Sequence, residues 1–98
     1  MKEPRMCESS RRLVHVRDTR TWTGRKLHLE YYLVSCAVMG GCAESYGVEI
    51  KASSDSGTDY AGIENITMTG TKILELIDLL AAGTVTPTGL ADVVHDWL

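Results

Sequence analysis

The sequence predicts an α+β protein, in which an antiparallel β-meander of three to four strands is followed by a C-terminal αα-hairpin packed on one sheet face. Two observations predict this fold. Residues 13–67 hold four segments rich in alternating, β-branched and aromatic residues, with turn residues between them. Beyond Gly70 the apolar residues recur at helical spacing. A chain of 98 residues buries one modest core, so we expect a single domain over residues 11–98, preceded by a disordered leader over residues 1–10.

The four strands are predicted at residues 13–16, 27–39, 46–51 and 60–67. Alternation in the second and third strands fixes their register, because a slip of one residue would turn every side chain to the wrong face. A two-residue turn at residues 40–41, both glycine, pairs Tyr31 with Ile50 on the apolar face. The same register sets Glu30 opposite Lys51, which is a favourable cross-strand pair.

The first strand follows from the same alternation. Its valines reach the apolar face when Val14 pairs with Leu29 and Val16 with Leu27. This pairing sets His15 opposite His28 and Arg17 opposite Lys26 on the outer face. The connection around residues 18–24 is long enough to contain a β-bulge, which would change this register.

Two amphipathic helices are predicted after the sheet. The first carries its apolar stripe at Ile73, Leu76, Ile77 and Leu80. Gly83 then supplies the expected C-terminal stop, and Thr86 and Pro87 are suited to the N-cap and first position of the second helix. The second stripe consists of Leu90, Val93, Val94 and Trp97. Both stripes need apolar cover, and the apolar face of the sheet is the surface that offers it.

The net charge of −3 conceals an asymmetry along the chain. Residues 1–28 hold eight Lys and Arg against three acidic residues, a net +5, whereas residues 29–98 hold two against ten, a net −8. A chain divided in this way can present a basic patch and an acidic patch on different faces, each able to steer a charged partner. The alternative is an ordinary solvated surface.

Several functional classes find no support in the sequence. No nucleotide-binding, hydrolase, zinc-protease or calcium-binding motif occurs, so we expect no enzymatic activity and no cofactor. The three cysteines have no zinc-site spacing, which predicts no bound metal, and their thiol state stays open. Charge around Pro4 without a following apolar stretch predicts no secretory signal, and no apolar run reaches the roughly 20 residues of a membrane span. We therefore expect a cytoplasmic protein without membrane contact.

Two constellations could carry chemistry. His15 and His28, with Arg12, Arg17 and Lys26 nearby, could form the acid–base pair and phosphate clamp of a metal-independent ribonuclease. Two solvated histidines on a sheet face are the preferred interpretation. On the last helix, Asp92, His95 and Asp96 have a spacing that can bind a metal. We interpret them instead as the polar face opposite the apolar stripe.

Trp22 is the most informative single residue. It lies in a predicted turn, where no core residue is expected, and Arg20, Arg25 and Lys26 flank it. Tryptophan and arginine dominate binding hot spots, and an exposed indole beside cations can also stack on a nucleic-acid base. The alternative is a lid folded over one end of the sheet.

The chain resembles a family of uncharacterised small bacterial proteins. The matching segments cover residues 29–34, 46–50 and 63–67, and most specifically residues 83–87 with residues 90–98. The resemblance spans roughly residues 13–98 and implies the fold without implying an activity. In size, charge and lack of a catalytic motif the chain also looks like the small type II anti-CRISPR proteins.

Together these features predict a non-catalytic protein-binding regulator or inhibitor. Its expected partner is a protein, such as a nuclease–RNA complex of the CRISPR type, with which it would compete for nucleic acid. The predicted binding residues, for a partner or for nucleic acid, are Arg12, Arg17, Arg20, Trp22, Arg25 and Lys26, and the acidic face consists of Glu64, Asp92 and Asp96. The alternative function is a small RNA-binding protein or ribonuclease that uses the basic hairpin. Exposed edges of the meander make a homo-oligomer a third prediction.

Overall fold

The computed structural model describes residues 9–38 and 43–98, and it has the α+β architecture that the sequence predicts. The elements are β1 (Ser9–Arg20), β2 (Lys26–Val38), β3 (Ala43–Ser54), β4 (Gly57–Thr67), α1 (Gly70–Ala82), a 3₁₀ turn (Pro87–Gly89) and α2 (Leu90–Trp97). The four strands form one antiparallel sheet in the order β1-β2-β3-β4. Residues 1–8, which carry most of the predicted leader, and the predicted turn at residues 40–41 lie outside the described residues.

The predicted register of β2 and β3 is confirmed. Tyr31 lies opposite Ile50, and Glu30 lies opposite Lys51. β2 has the predicted length, whereas the other three strands are longer than predicted. β3 and β4 continue to a short turn at Asp55 instead of stopping at a loop. Alternation identifies the half-buried centre of a strand, whereas the polar ends are held by backbone hydrogen bonds that leave no apolar pattern.

The predicted register of β1 is wrong. A bulge between Leu13 and His15 leaves Val14 without a partner, so every residue after it lies on the face opposite to the predicted one. His15 pairs with Tyr31 and points toward the helices, whereas Val16 pairs with Glu30 on the outer face. The further consequences are that Arg17 lies opposite Leu29, and that Asp18 instead of His15 lies opposite His28.

The core lies between the inner face of the sheet and the two helices. Its fully buried side chains are Leu29, Tyr31, Val48, Ile50, Ile73, Leu76, Ile77 and Leu80, with Leu90 almost fully buried. Both predicted stripes face this core, and Trp97 packs against it as a half-buried residue. Tyr31 donates its hydroxyl to the carbonyl of Val85 at 2.9 Å, and burial raises the pKa of this phenol to about 12. The bond joins the centre of the sheet to the connection between the helices.

The end of α1 differs in detail from the prediction. Gly83 is the C-cap residue of α1, and its φ is −90°. The left-handed conformation occurs at the next residue, Thr84, with φ 45°. The amide of Thr84 donates to the carbonyl of Ala81, and the amide of Val85 donates to that of Leu80. This pair of bonds is a Schellman motif, in which the left-handed residue is usually glycine.

The described residues add two negative findings and one covalent link. Neither helix is long and apolar enough to cross a bilayer. No group of three or more potential metal ligands is found within residues 9–38 and 43–98, Asp92, His95 and Asp96 included. Cys36 on β2 is buried and disulfide-bonded.

Candidate partner-binding site

The predicted basic hairpin forms a well-defined turn. Between the ends of β1 and β2, the amide of Thr21 donates to the carbonyl of Arg25 and the amide of Gly24 donates to that of Thr21, both at 2.8 Å. Gly24 has φ 88°, which glycine adopts without strain. The hydroxyl of Thr21 also accepts a bond from the amide of Arg25. We call residues 20–26 the hairpin tip, and its backbone is fixed by its own hydrogen bonds.

Trp22 stands at the end of the hairpin tip with 97% of its surface exposed. The lid interpretation does not describe this arrangement, because a lid would bury the indole. Arg20, Arg25 and Lys26 surround it and are all exposed. Arg20 is held over the turn by a bond to the carbonyl of Gly24 at 3.1 Å. The tip therefore combines one solvated aromatic side chain with three cations.

Two of the predicted basic residues lie elsewhere. Arg12 pairs with Leu33 on the inner face, eight residues from Arg20 and so about 26 Å away along the strand. Arg17 also lies on the inner face, opposite Leu29, and donates to the carbonyl of Val16 at 2.9 Å. The bulge in β1 explains the position of Arg17. Four of the six predicted binding residues, namely Arg20, Trp22, Arg25 and Lys26, thus form one site.

Clefts flank the hairpin tip on both faces of the sheet. The outer cleft has a volume of about 670 Å³. Polar residues make up its lining apart from Leu27, and they include Asp18, Arg20, Lys26, His28 and Ser53. The inner groove has a volume of about 350 Å³. It lies between the hairpin tip and the 3₁₀ turn, and its lining includes Arg25, Leu27, Ala52, Asp59 and Pro87.

An ion-pair cluster lies along the outer cleft. His28 donates from Nδ1 to Asp18 at 2.7 Å, and its Nε2 lies 3.4 Å from Glu30. The hydrogen bond to Asp18 raises the pKa of His28 above its ordinary value, with a smaller contribution from Glu30. Tyr32 donates to Glu30 at 2.7 Å, and this bond holds the pKa of the Glu30 carboxyl below its usual range. The cluster orders the surface next to the tip.

The two histidines are not assembled as an acid–base pair. His28 lies on the outer face, whereas His15 lies on the inner face and its Nε2 is 2.6 Å from Asp78 of α1. The four-stranded sheet separates the two imidazoles, so no substrate atom could contact both. The two-histidine ribonuclease geometry is therefore wrong.

Basic residues from the first 28 positions and acidic residues from the rest of the chain form ion pairs with one another on the outer face of the sheet. Arg11 of the basic half lies 2.6 Å from Oε1 of Glu49, in a contact without the alignment of a hydrogen bond, and its guanidinium covers the ring of Tyr32 at 4.3 Å. Lys51 and Glu30 approach within 4.0 Å on the same face. The outer face is thus a set of opposite charges, and the hairpin tip is where cations gather beside an exposed aromatic ring.

The predicted acidic residues are exposed but come from two elements. Asp92 and Asp96 lie one turn apart on α2, and Glu64 lies on β4. Asp92 is in the first turn of α2, where a carboxylate is favoured by the helix dipole. Asp92 and Asp96 therefore give α2 an acidic surface on the helical layer, in a different element from the hairpin tip.

Apart from Trp22 and Arg25, the residues that line the inner groove were not predicted as binding residues from the sequence. Leu27 and Ala52 come from the paired strands β2 and β3, and the packing of the helical layer on the sheet brings Pro87 of the 3₁₀ turn next to them. The types of Leu27 and Ala52 give no signal, because small and apolar residues at such positions usually belong to a core. Pro87 is the one residue whose type carries a signal, because a proline that begins a helix usually lies at a turn on the protein surface.

The sequence model of a family of unknown function, DUF6514, matches residues 10–98. The chain belongs to this family. The predicted membership of an uncharacterised family is thereby confirmed, and the match includes every described helix and nearly all of the sheet. Among curated proteins and among solved structures, nothing matches the chain. The family has no assigned activity.

Proposed function

We propose that the protein is a non-catalytic binding protein, which attaches to a protein partner through the hairpin tip and regulates or inhibits it. The observation that carries this proposal is the 97% exposure of Trp22 on a turn that its own hydrogen bonds fix. Tryptophan and arginine are the residues most enriched at the energetic centres of protein interfaces. An indole held in water contributes nothing to the core, and burial in a partner would remove its apolar surface from solvent.

The rigidity of the tip supports a role in binding. Ordering a mobile loop on association costs free energy, and a turn closed by Thr21, Gly24 and Arg25 has already lost that freedom. An aromatic anchor of this kind accounts for about 2 kcal/mol or more of binding free energy. Trp22→Ala should therefore weaken binding by roughly thirtyfold.

The proposal has a finer form, in which the partner is a nucleic-acid-processing complex of the CRISPR effector type. Such an inhibitor can compete with nucleic acid by presenting carboxylates to a basic channel. The exposed positions of Glu64, Asp92 and Asp96 support this form. Reversing these charges to Lys should then restore the activity of the inhibited nuclease. Full inhibition by all three variants would remove the acidic mimic from the proposal.

A pull-down from a bacterial lysate tests the proposal as a whole. The tagged full chain is compared with Trp22→Ala and with the matched control Tyr60→Ala, which removes an aromatic side chain that is 59% exposed on β4. We expect a protein that stays bound after nuclease treatment, is lost with Trp22→Ala and is retained with Tyr60→Ala. Equal recovery with both variants would contradict a role for the hairpin tip.

The second candidate is an RNA-binding protein, and the same tip favours it because an indole beside three cations can stack on a base. It predicts an affinity for RNA that falls steeply with salt, and that weakens when Lys26 is reversed to Glu. The protein-binding proposal is preferred, because Asp18 and Asp55 line the clefts beside these cations and the whole chain carries −3. RNA that is recovered alone, and is lost on nuclease treatment, would reverse this preference.

A further inference from the structure

The inner groove gives the hairpin tip a concave surface as well as a protruding side chain. Leu27, Ala52 and Pro87 form its apolar part, and Trp22 lines it at the tip. Its volume of about 350 Å³ is at the lower end of the range for ligand sites. A cleft of this size suits one large side chain with its neighbouring backbone, and it is too small for a dinucleotide cofactor.

Charges of opposite sign line the same groove. Arg25 comes from the hairpin turn, and Asp59 comes from β4, where it pairs with Ala52. Asp59 lies in the same row of the sheet as Leu29, so it is two strands across and two residues along from Leu27, or about 12 Å away. A guanidinium binds a carboxylate in a forked geometry, and a carboxylate accepts N–H donors. The groove therefore complements a group with an apolar centre, an anion at one end and N–H donors at the other.

An extended peptide has this combination of groups. A phosphate-bearing strand has it only in part, because its phosphates would be repelled by Asp59 when a base occupied the apolar part. We infer that the inner groove is a peptide-binding site, which takes a large apolar side chain from the partner, with an adjacent carboxylate on Arg25 and backbone N–H groups on Asp59. This inference rests on the proposed function, because the peptide is a segment of the protein partner.

An NMR titration of the ¹⁵N-labelled full chain tests the inference. The probe is acetyl-Glu-Phe-amide, and the comparison probes are acetyl-Lys-Phe-amide, acetyl-Glu-Ala-amide and a short single-stranded oligouridylate. We expect acetyl-Glu-Phe-amide to shift the indole N–H signal of Trp22 and the amide signals of Leu27 and Ala52. Acetyl-Lys-Phe-amide should bind about two- to fivefold more weakly, as expected for the loss of one exposed ion pair.

A matched pair of arginine variants locates the carboxylate. Arg25→Gln should weaken acetyl-Glu-Phe-amide by the same two- to fivefold, whereas Arg12→Gln, which lies far along β1 from the hairpin tip, should leave its affinity unchanged. Both side chains are exposed, so neither substitution threatens the fold. Equal effects of the two variants would overturn the role of Arg25.

The remaining outcomes separate this inference from the proposed function. If no peptide shifts the groove signals, the inference is overturned, and a partner still lost with Trp22→Ala would show that Trp22 inserts into the partner instead. If oligouridylate shifts the Trp22 signal and the peptides do not, both the inference and the protein-binding function are overturned in favour of RNA. In Trp22→Ala, the amide signals of Leu27 and Ala52 remain as reporters. If acetyl-Glu-Phe-amide shifts them as much as in the unmodified chain, Trp22 is not part of the site and the inference is overturned.

Discussion

Replacing Thr84 with glycine should stabilise the protein, because Thr84 occupies the left-handed backbone region with φ 45°. This region costs an L-residue about 1–2 kcal/mol. A β-branched side chain is especially ill suited to it. Glycine adopts it freely, so Thr84→Gly removes the strain while keeping both backbone hydrogen bonds of the Schellman motif.

Two effects reduce the gain. Glycine increases the freedom of the unfolded chain, which costs about 0.5–1 kcal/mol. The variant also loses the exposed hydrogen bond of 2.7 Å from the Thr84 hydroxyl to the carbonyl of Gly83. We expect a net stabilisation of about 0.5 kcal/mol, which corresponds to a rise in Tm of roughly 2–4 °C in a domain of this size.

The neighbouring glycine provides the control. Gly83 has φ −90°, and a β-carbon there would meet the Leu79 carbonyl oxygen and Val85 Cγ2 at 3.5 and 3.6 Å, which are ordinary contacts. Gly83→Ala should therefore leave Tm unchanged or slightly raised. Thermal unfolding followed by far-ultraviolet circular dichroism measures both variants. A fall in Tm with Thr84→Gly, together with a fall of several degrees with Gly83→Ala, would put the left-handed residue at Gly83 and refute the reasoning.

Three further predictions concern a surface ion pair, a buried hydroxyl and the cysteines. Because the folded-state pKa of His28 is raised, its pair with Asp18 stabilises the fold below pH 6.5 and loses this effect as pH rises through the folded pKa. His28→Gln should therefore lower the free energy of unfolding by a few tenths of a kcal/mol at pH 5.5 and leave it unchanged at pH 8.5. Tm, measured at both pH values, should fall slightly at pH 5.5 only. Tyr31→Phe leaves the half-buried carbonyl of Val85 without its donor and should lower the free energy of urea unfolding by about 1 kcal/mol, whereas Tyr60→Phe at the exposed position should cost nothing measurable. Since Cys36 is disulfide-bonded in a chain of three cysteines, thiol titration in denaturant should find one thiol before reduction and three after it, and three before reduction would contradict the disulfide.

The sheet was predictable where alternation was long and its partner strand was clear. β2 and β3 each carry an apolar face of several residues, so one register satisfies both strands. In β1 the apolar segment has only Leu13, Val14 and Val16. Its register is decided by partners far along the chain, such as Asp78 for His15, and no local pattern reports them. A single bulge then moves every later side chain of β1 to the opposite face of the sheet.

The candidate site was predictable to the extent that it is local. Arg20, Trp22, Arg25 and Lys26 lie within seven consecutive residues, so a turn brings them together wherever it lies. The inner groove depends on the docking of the 3₁₀ turn against β2 and β3, which involves residues far apart in sequence. Periodicity indicates that such elements pack on the sheet, but it does not determine which cleft remains between them.

The hydrogen bond between Tyr31 and Val85 gives the groove a connection to the helical layer. Val85 is two residues before Pro87, so one wall of the groove is anchored to the centre of the sheet. A peptide seated against this wall would stabilise the packing of α1 and α2 on the sheet by linkage, because the groove is lost when these helices unfold locally. Amide hydrogen exchange in both helices would slow in its presence. Occupancy at the hairpin tip would thus lengthen the lifetime of the C-terminal segment against proteases in the cell.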